Sequence, residues 1–453
     1  MASIYQKLAS LLGKRALGEP DAMEPYGRDE SDLKFFPPEA VALVQSGEEI
    51  REVLHLADLD GIFVTPRGLG SGKTGGALPV KGGIVLSTER MRGIHQIDAE
   101  NLLAVVEPGV VTGDLISRVE EEGLFYPPDP ASLDVCSLGG NVAENAGGPR
   151  AFKYGVTREY VLGLELALMG GEGLSIGRRT VKGVTGMDLV ALITGSEGTL
   201  AVISEITLKL LPRPQRVETF LAVFGDVLSA GRAVSQMIRD GHRPRTLELL
   251  DEQVVEHLAE QGKWPLPSGT AALLLVELDG EEGLEAQLLR AAQACEASGA
   301  REILVATDEA RRRTLWEMRR QVSTMLGEMH RFRVAEDVAV PRAAISEMLS
   351  RLHGLAREFE VGIATYGHAG DGNLHVNVVY DEEIAAARVE SLIEAIFRHA
   401  LDLGGTLSGE HGIGVTKRRY MHLEQSPALL ALQQKLKGAF DPRGLLNPGK
   451  LLP

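Results

Sequence analysis

The chain has 453 residues, with 47 Lys and Arg against 63 Asp and Glu, a formal charge of −16 and an isoelectric point near 5.3. That acidic balance argues against nucleic acid or an anionic membrane surface as the main partner, and a hydrophobic fraction of 44% argues against a disordered chain. Cys136 and Cys295 are the two cysteines, which excludes a disulfide scaffold though not a single bridge, and a length of roughly three times the ~150-residue prior suggests two or three domains.

At the start, Ile4, Leu8, Leu11 and Leu12 fit one face of a short amphipathic helix. Lys7, Lys14 and Arg15 break up the apolar positions, so the stretch lacks the continuous core of a secretory signal. No run approaches the ~18 apolar residues of a transmembrane helix; Ala271 to Val276 is strand-sized. A cytoplasmic protein without a transmembrane segment is expected.

Residues 1–214 alternate strand-like runs (GIFVTPRGLGSG, GGIVLST, LLAVVEPGV, LGLELALM, GTLAVISEITLKLL) with Gly-rich turns. VTGDLISRVEEEG reads as a helix closed by Gly123. Pro212–Arg213–Pro214 can continue neither a ladder nor a helix and marks a boundary. Over 215–405, helical segments intersperse with strands such as GTAALLLVELDG and NLHVNVVY, which predicts an α+β unit: an antiparallel sheet with helices on one face. Residues 406–453 are mostly helical and end in the turn-rich DPRGLLNPGK.

Glycine, about 11% of the chain, exceeds the usual ~7%, and its placement is informative. Pro66–Arg67–Gly68–Leu69–Gly70–Ser71–Gly72 directly follows the strand-like Ile62–Thr65, where successive amides can form a concave anion site. It is neither a Walker A loop, lacking the Lys–Ser/Thr pair, nor a Rossmann fingerprint, since no clear helix follows. A second cluster runs from Ser137–Leu138–Gly139–Gly140–Asn141 to Gly147–Gly148–Pro149–Arg150, and a third is Gly195–Ser196–Glu197–Gly198–Thr199. Three such clusters beside strands suit a long diphosphate ligand lying across several loops. Surface turns are the alternative, but they leave Asn141 and Asn145 among small residues unexplained.

In Gly367–His368–Ala369–Gly370–Asp371–Gly372–Asn373–Leu374–His375–Val376–Asn377, two imidazoles flank a Gly/Asp/Asn turn. A strand from Leu374 places His375 and Asn377 on one face. Neutral imidazoles bind Zn, Mn or Fe, and a third hard ligand completes an open site. Ser408–Gly409–Glu410–His411–Gly412 offers a carboxylate beside a third His. Satisfied structural histidines are the alternative.

The segments PRGLGSGKTGGALPVKGGIVLSTERM, SLGGNVAENAGGPRAFKYGVTREYVLGLE and TGMDLVALITGSEGTLAVISEITLKLLP closely resemble the flavin domain of the vanillyl-alcohol oxidase/p-cresol methylhydroxylase superfamily. Within it they resemble the branch of the glycolate oxidase flavin subunit, D-lactate dehydrogenase and D-2-hydroxyglutarate dehydrogenase. The resemblance implies a two-part FAD-binding domain of the p-cresol methylhydroxylase (PCMH) type over 1–214, a ferredoxin-like antiparallel α+β cap domain over 215–405, and a C-terminal helical segment, 406–453, returning to the flavin domain. It implies that Arg67, Gly68, Leu69, Gly70, Ser71 and Gly72 hold the FAD pyrophosphate. Pro130, Ser132, Gly139, Gly140, Asn141 and Gly147 would line the flavin and ribityl chain, Gly198 and Ile203 the adenine side, and Asn447 would close the site. The first loop contains no His, so FAD is expected to bind non-covalently.

By the same resemblance His368, His375 and Glu410 bind a divalent metal, His411 is the general base, Asn377 helps orient the substrate, and Arg319 of LWEMRR grips its carboxylate, a task suited to a planar guanidinium. Ala335 and Glu336 stand where the 2-hydroxyglutarate pattern carries a Lys, which favours a short acid. The implied reaction is oxidation of a (D)-2-hydroxy acid of the lactate or glycolate class to the 2-oxo acid, by hydride transfer from C2 to flavin N5. A non-catalytic flavin-bearing subunit of a glycolate oxidase-type complex and a metal-dependent hydrolase remain as alternatives. Electrons would leave to a partner protein, a quinone or oxygen, and the chain would act as a homodimer or within such a complex.

Overall fold

Ser3 accepts a hydrogen bond from the Gln6 amide while the Gln6 side chain accepts from Ser3, so the helix Ile4–Leu12 starts on a capping box and buries Leu8 and Leu12. The computed structural model describes residues 3–453. They divide into two units: one comprises the chain up to Gly147, Val156–Arg213 and Glu410–Pro453, the other Gly148–Gly155 and Pro214–Gly409.

Besides a two-stranded pairing of Leu124–Phe125 with Leu211–Pro212, the first unit contains two larger sheets. In one, Ala16–Leu17, Ala40–Leu43, Ile84–Ser87 and Val64–Arg67 lie side by side in that order; the first pair is antiparallel and the others parallel. Parallel neighbours need a crossover, and the helix Gly47–Asp60 supplies one. It is capped by Ser46 and stopped by Gly61 at φ 69°, and it buries Ile50, Val53, Leu54 and Ala57 against Ala40, Ala42, Ile84 and Leu86. Burial of each larger aliphatic side chain contributes about 1.5–3 kcal/mol. The other sheet is antiparallel, in the order Ile94–Asp98, Leu103–Val106, Val202–Lys209, Val161–Ala167, Gly173–Gly177. The C-terminal tail returns to the first sheet: Leu446 bridges Val64 in parallel, and the Asn447 amide donates to Val64 O at 2.7 Å.

The second unit is built on a seven-stranded antiparallel sheet in the order Ala300–Val305, Arg216–Phe224, Ala272–Gly280, Thr246–Leu250, Gly362–His368, Asn373–Tyr380, Phe332–Ala339. One face packs on the helices Glu252–Gln261 and Glu309–Met329, through Leu221, Val223, Leu250, Val254, Leu258, Met318, Val322 and Met325. The alternation of elements suggests helices on one face only. Instead Phe220 to Phe224 are buried in unbroken succession, and the helices Val227–Arg239, Leu284–Ala297 and Ile345–Phe359 contribute the opposite core. A strand buried at consecutive positions needs cover on both sides. Among the described residues no helix is long and apolar enough to cross a membrane.

Candidate functional site

In the second unit, register determines what meets what. The strands Gly362–His368 and Asn373–Tyr380 form a hairpin in which Tyr366 faces His375 and His368 faces Asn373. Its turn requires glycine, because Gly372 has φ 88° and a Cβ there would meet Val340 O at 2.0 Å. On the flanking strands Glu248 lies opposite His368, and Asp337 opposite His375. Residues directly opposite share a face, as do alternate residues along a strand. Glu248, Tyr366, His368, Asp337, His375, Asn377 and Arg333 therefore occupy one face, the face covered by the helix Glu309–Met329 that carries Arg319.

Glu248 is fully buried and accepts from His368 Nδ1 at 2.6 Å and from Arg319 Nε and Nη2 at 2.7 and 2.6 Å. Burial pushes its carboxyl up, but the charges and hydrogen bonds of His368 and Arg319 override that and hold it at about 2. The Arg319 guanidinium also stacks over Tyr366, 4.6 Å from the ring centroid. The imidazoles of His368 and His375 meet edge to face, with centroids 5.1 Å apart. A carboxylate on Nδ1 fixes ring orientation and tautomer, the arrangement used by metal-ligating histidines.

Asp337, also fully buried, accepts from Asn373 Nδ2, from Ser408 Oγ at 3.0 Å and from the Gly409 amide at 2.8 Å, and stands 3.7 Å from His375 Nδ1. It therefore pins the two residues before Glu410. Asn377 spends its amide within the sheet: Oδ1 accepts from Arg333 Nε at 2.9 Å, and Nδ2 donates to Ala364 O and His375 O. Neither Glu248 nor Asp337 emerges from the sequence reading as a site residue, although a glutamate inside the apolar TLELL strand signals a buried partner.

In the first unit, the three glycine clusters converge. A Cβ at Gly68 would meet Ser137 Oγ at 2.2 Å, and one at Gly139 would meet Pro108 Cβ at 2.7 Å. Ser137 caps the helix Leu138–Glu144 by accepting from Gly140 N, and Asn141 Nδ2 donates to Thr112 Oγ1 at 2.6 Å. The third cluster docks there through Gly195 N to Val142 O and Glu197 N to Ala143 O. Asn447 Nδ2 donates to Glu197 O at 2.7 Å and to Gly76 O at 3.2 Å. Asn145, Glu197 and Asn447 hold φ of 54°, 53° and 45°, strain that clusters at ligand sites.

Leu69 to Gly72 continue as a half-buried bend from the strand Val64–Arg67. Arg67 is buried, with Nη2 donating to Pro25 O and Nη1 left without a partner, an orphan donor suited to an anionic diphosphate. Pro130 and Ser132 form the turn whose carbonyls accept from Leu133 and Cys136. Ile203 is buried opposite Leu166.

Glu410 and His411 belong to this unit and are half-buried. A Cβ on Gly147 would meet Glu410 Oε2 at 2.8 Å, and His411 O accepts from Thr74 Oγ1 at 3.3 Å. Nearby lies a buried charged group that the sequence reading misses. Glu197 accepts from the amides of Ile413 and Gly414 at 2.7 Å each, yet burial raises its carboxyl. Burial first, then Glu197, pushes Glu144 well up. Burial lowers Lys450 to about 7, although Glu197, Asp29 and Glu144 pull the other way.

The description "FAD binding domain" matches residues 38–177, and "FAD linked oxidases, C-terminal domain" matches residues 213–451. The chain is 39% identical to the glycolate oxidase subunit GlcD of Bacillus subtilis (strain 168), covering 94% of this chain and 91% of that one. It is 34% identical to a D-lactate dehydrogenase of Anaerostipes hadrus, covering 99% and 97%. In fold it is similar to p-cresol methylhydroxylase, with a TM-score of 0.80 at 18% identity, covering 98% of this chain and 95% of that one. The chain belongs to the FAD-linked oxidase family, as an FAD-dependent oxidoreductase of the glycolate oxidase and D-lactate dehydrogenase kind built on the PCMH-type flavin fold.

Proposed function

We propose that this chain oxidises a (D)-2-hydroxy acid of the lactate or glycolate class to the 2-oxo acid. The observation that carries the reading is the convergence of His368, His375, Arg319 and Glu248 on one sheet face, with Asp337 fixing the chain immediately before Glu410. When bound, FAD supplies the acceptor chemistry for a hydride leaving C2, at flavin N5, and a divalent metal (Zn, Mn or Fe) on His368, His375 and Glu410 supplies Lewis-acid polarisation of the hydroxyl.

FAD is held non-covalently by Arg67, Gly68, Leu69, Gly70, Ser71 and Gly72 at the pyrophosphate, by Pro130, Ser132, Gly139, Gly140, Asn141 and Gly147 along the flavin and ribityl chain, and by Gly198, Ile203 and Asn447. His411 takes the hydroxyl proton on an imidazole nitrogen, the general-base task that imidazoles most often perform. Arg319 binds the substrate carboxylate through Nη1, since Nε and Nη2 are engaged by Glu248. Asn377 orients the substrate at one remove, through the strand and the Arg333 side chain that it bonds. Arg333 directs its guanidinium to Asn377 and Ser323, and Ala335 offers no charge to a second carboxylate. That supports a short acid.

A second reading is favoured by one observation, that the Bacillus subtilis relative is named as a subunit: the chain works as the flavin-bearing member of a complex and passes electrons to a partner protein. Family membership leaves the flavin-free hydrolase without support. The test is anaerobic titration of purified protein with D- and L-lactate and glycolate, following the oxidised flavin band. Bleaching by the D-acids or glycolate at stoichiometric amounts is expected. A flavin band unmoved by every acid refutes the oxidation reading, and bleaching without turnover by an artificial acceptor selects the subunit reading.

A further inference from the structure

In the second unit, away from His368 and His375, a separate imidazole pair opens onto a cavity of about 670 Å³. His257, on the helix Glu252–Gln261, and His330, just after the helix Glu309–Met329, bring their Nε2 atoms to 2.8 Å, with ring centroids 5.0 Å apart and planes at 53°. Their other nitrogens are committed. His257 Nδ1 contacts Gln253 O at 2.5 Å, and His330 Nδ1 contacts Asp381 Oδ2 at 3.2 Å.

A carbonyl and a carboxylate only accept, so each Nδ1 carries the proton. Each Nε2 then points at the other, and the 2.8 Å contact is satisfied either by one proton shared between the two nitrogens or by a metal ion in place of that proton. A backbone carbonyl on one Nδ1 and a carboxylate on the other are the supports that metal-ligating imidazoles use. Two nitrogens on a tetrahedral metal at ~2.0–2.1 Å stand about 3.3 Å apart, so a shift of about half an ångström per pair of rings opens the gap. The cavity also presents Gln253 Oε1, buried without a partner, and the carboxylates of Glu382 and Glu383. Its arginine, Arg388, is engaged by Phe359 O and Glu360.

We propose that His257 and His330 form a second cation site, for a divalent transition metal of the zinc, cobalt or nickel class, with oxygen ligands from this acidic cavity or from water. Imidazole selects such ions over magnesium or calcium.

The test is zinc titration by calorimetry of chelator-treated full-length protein, in the wild type and in His257→Ala, His330→Gln and His375→Ala. The expected result is one equivalent lost, or bound at least tenfold more weakly, in His257→Ala and in His330→Gln, with an unchanged response to magnesium and unchanged turnover in His330→Gln. Zinc stoichiometry and affinity equal to wild type in both variants overturn the proposal. The His375→Ala arm reports separately on the other imidazole pair, so failure of one site is distinguishable from failure of the other.

Discussion

Glu248→Gln is the sharpest probe of the site, because one buried carboxylate holds both an imidazole and a guanidinium. Its folded-state value of about 2 lies below the ordinary 4.5, a difference worth about 3 kcal/mol at 1.36 kcal/mol per unit, the same size as the ~3–5 kcal/mol found when one member of a buried ion pair is removed. Glutamine keeps the shape, but its amide can accept at only one end, so either His368 or Arg319 faces a donor instead of an acceptor. The unit carrying Glu248 has about 200 residues, and for that size 1 kcal/mol moves the melting midpoint by roughly 2–4 °C, so a loss of about 6–12 °C is expected at pH 7.

The sign of the pH dependence follows from linkage. A carboxylate whose value is lowered by folding stabilises fully above its unfolded value and loses that contribution as pH falls through the folded one. The gap between wild type and Glu248→Gln should therefore be present at pH 5 and shrink as pH falls from about 4.5 to 2. Scanning calorimetry across that series measures it. A midpoint change under about 2 °C at pH 7, or a gap that persists undiminished at pH 2.5, refutes the claim that this charge pair holds the face together.

Three other perturbations separate the roles. His411→Ala is expected to abolish turnover, by a factor of at least 100, while flavin content per chain stays at the wild-type level; normal turnover removes His411 from the reaction. Gly68→Ala places a Cβ 2.2 Å from Ser137 Oγ and should cut bound flavin at least tenfold without moving the melting transition of the second unit, as absorbance and calorimetry will read. Lys450 titrates at about 7 in the folded chain against an ordinary 10.5, so stability should rise by up to about 1.4 kcal/mol per pH unit between 7 and 10, and Lys450→Met should flatten that slope in denaturant titrations.

What the sequence makes legible here is local. The bend after Val64–Arg67, the Ser137–Asn141 cluster and the His368–His375 hairpin each lie within one short segment, so residue type and spacing carry the signal. Glu248 escapes that kind of reading because its partner His368 is 120 residues away, and only strand register, set by the whole sheet, places them opposite each other. Asp337 is hidden for the same reason, holding Ser408 and Gly409 across 71 and 72 residues. The second helical layer of the same unit is equally non-local, since helix order along the chain does not say which face each helix covers. Arg319 is a subtler case. The guanidinium suggests a two-pronged grip on a ligand, but the fold assigns two of its donors to Glu248, which no pattern around LWEMRR foretells.

The two imidazoles of the hairpin are supported by opposite means, and the contrast says what each carboxylate does. Glu248 accepts from the Arg319 guanidinium and from His368 Nδ1, and its charge is balanced inside the sheet face by Arg319. Asp337 gathers the Asn373 amide, the Ser408 hydroxyl and the Gly409 backbone amide, with His375 at ion-pair rather than hydrogen-bond distance. Glu248 therefore serves its own sheet face and the helix over it, whereas Asp337 ties the hairpin side to the 408–409 segment. Replacing a carboxylate that accepts from several donors leaves some of them without an acceptor, so Asp337→Asn should loosen the 408–409 segment more than the Glu248–Arg319 pair. Hydrogen exchange at the Gly409 amide, compared between wild type and Asp337→Asn, measures that difference directly, and equal exchange in the two refutes it.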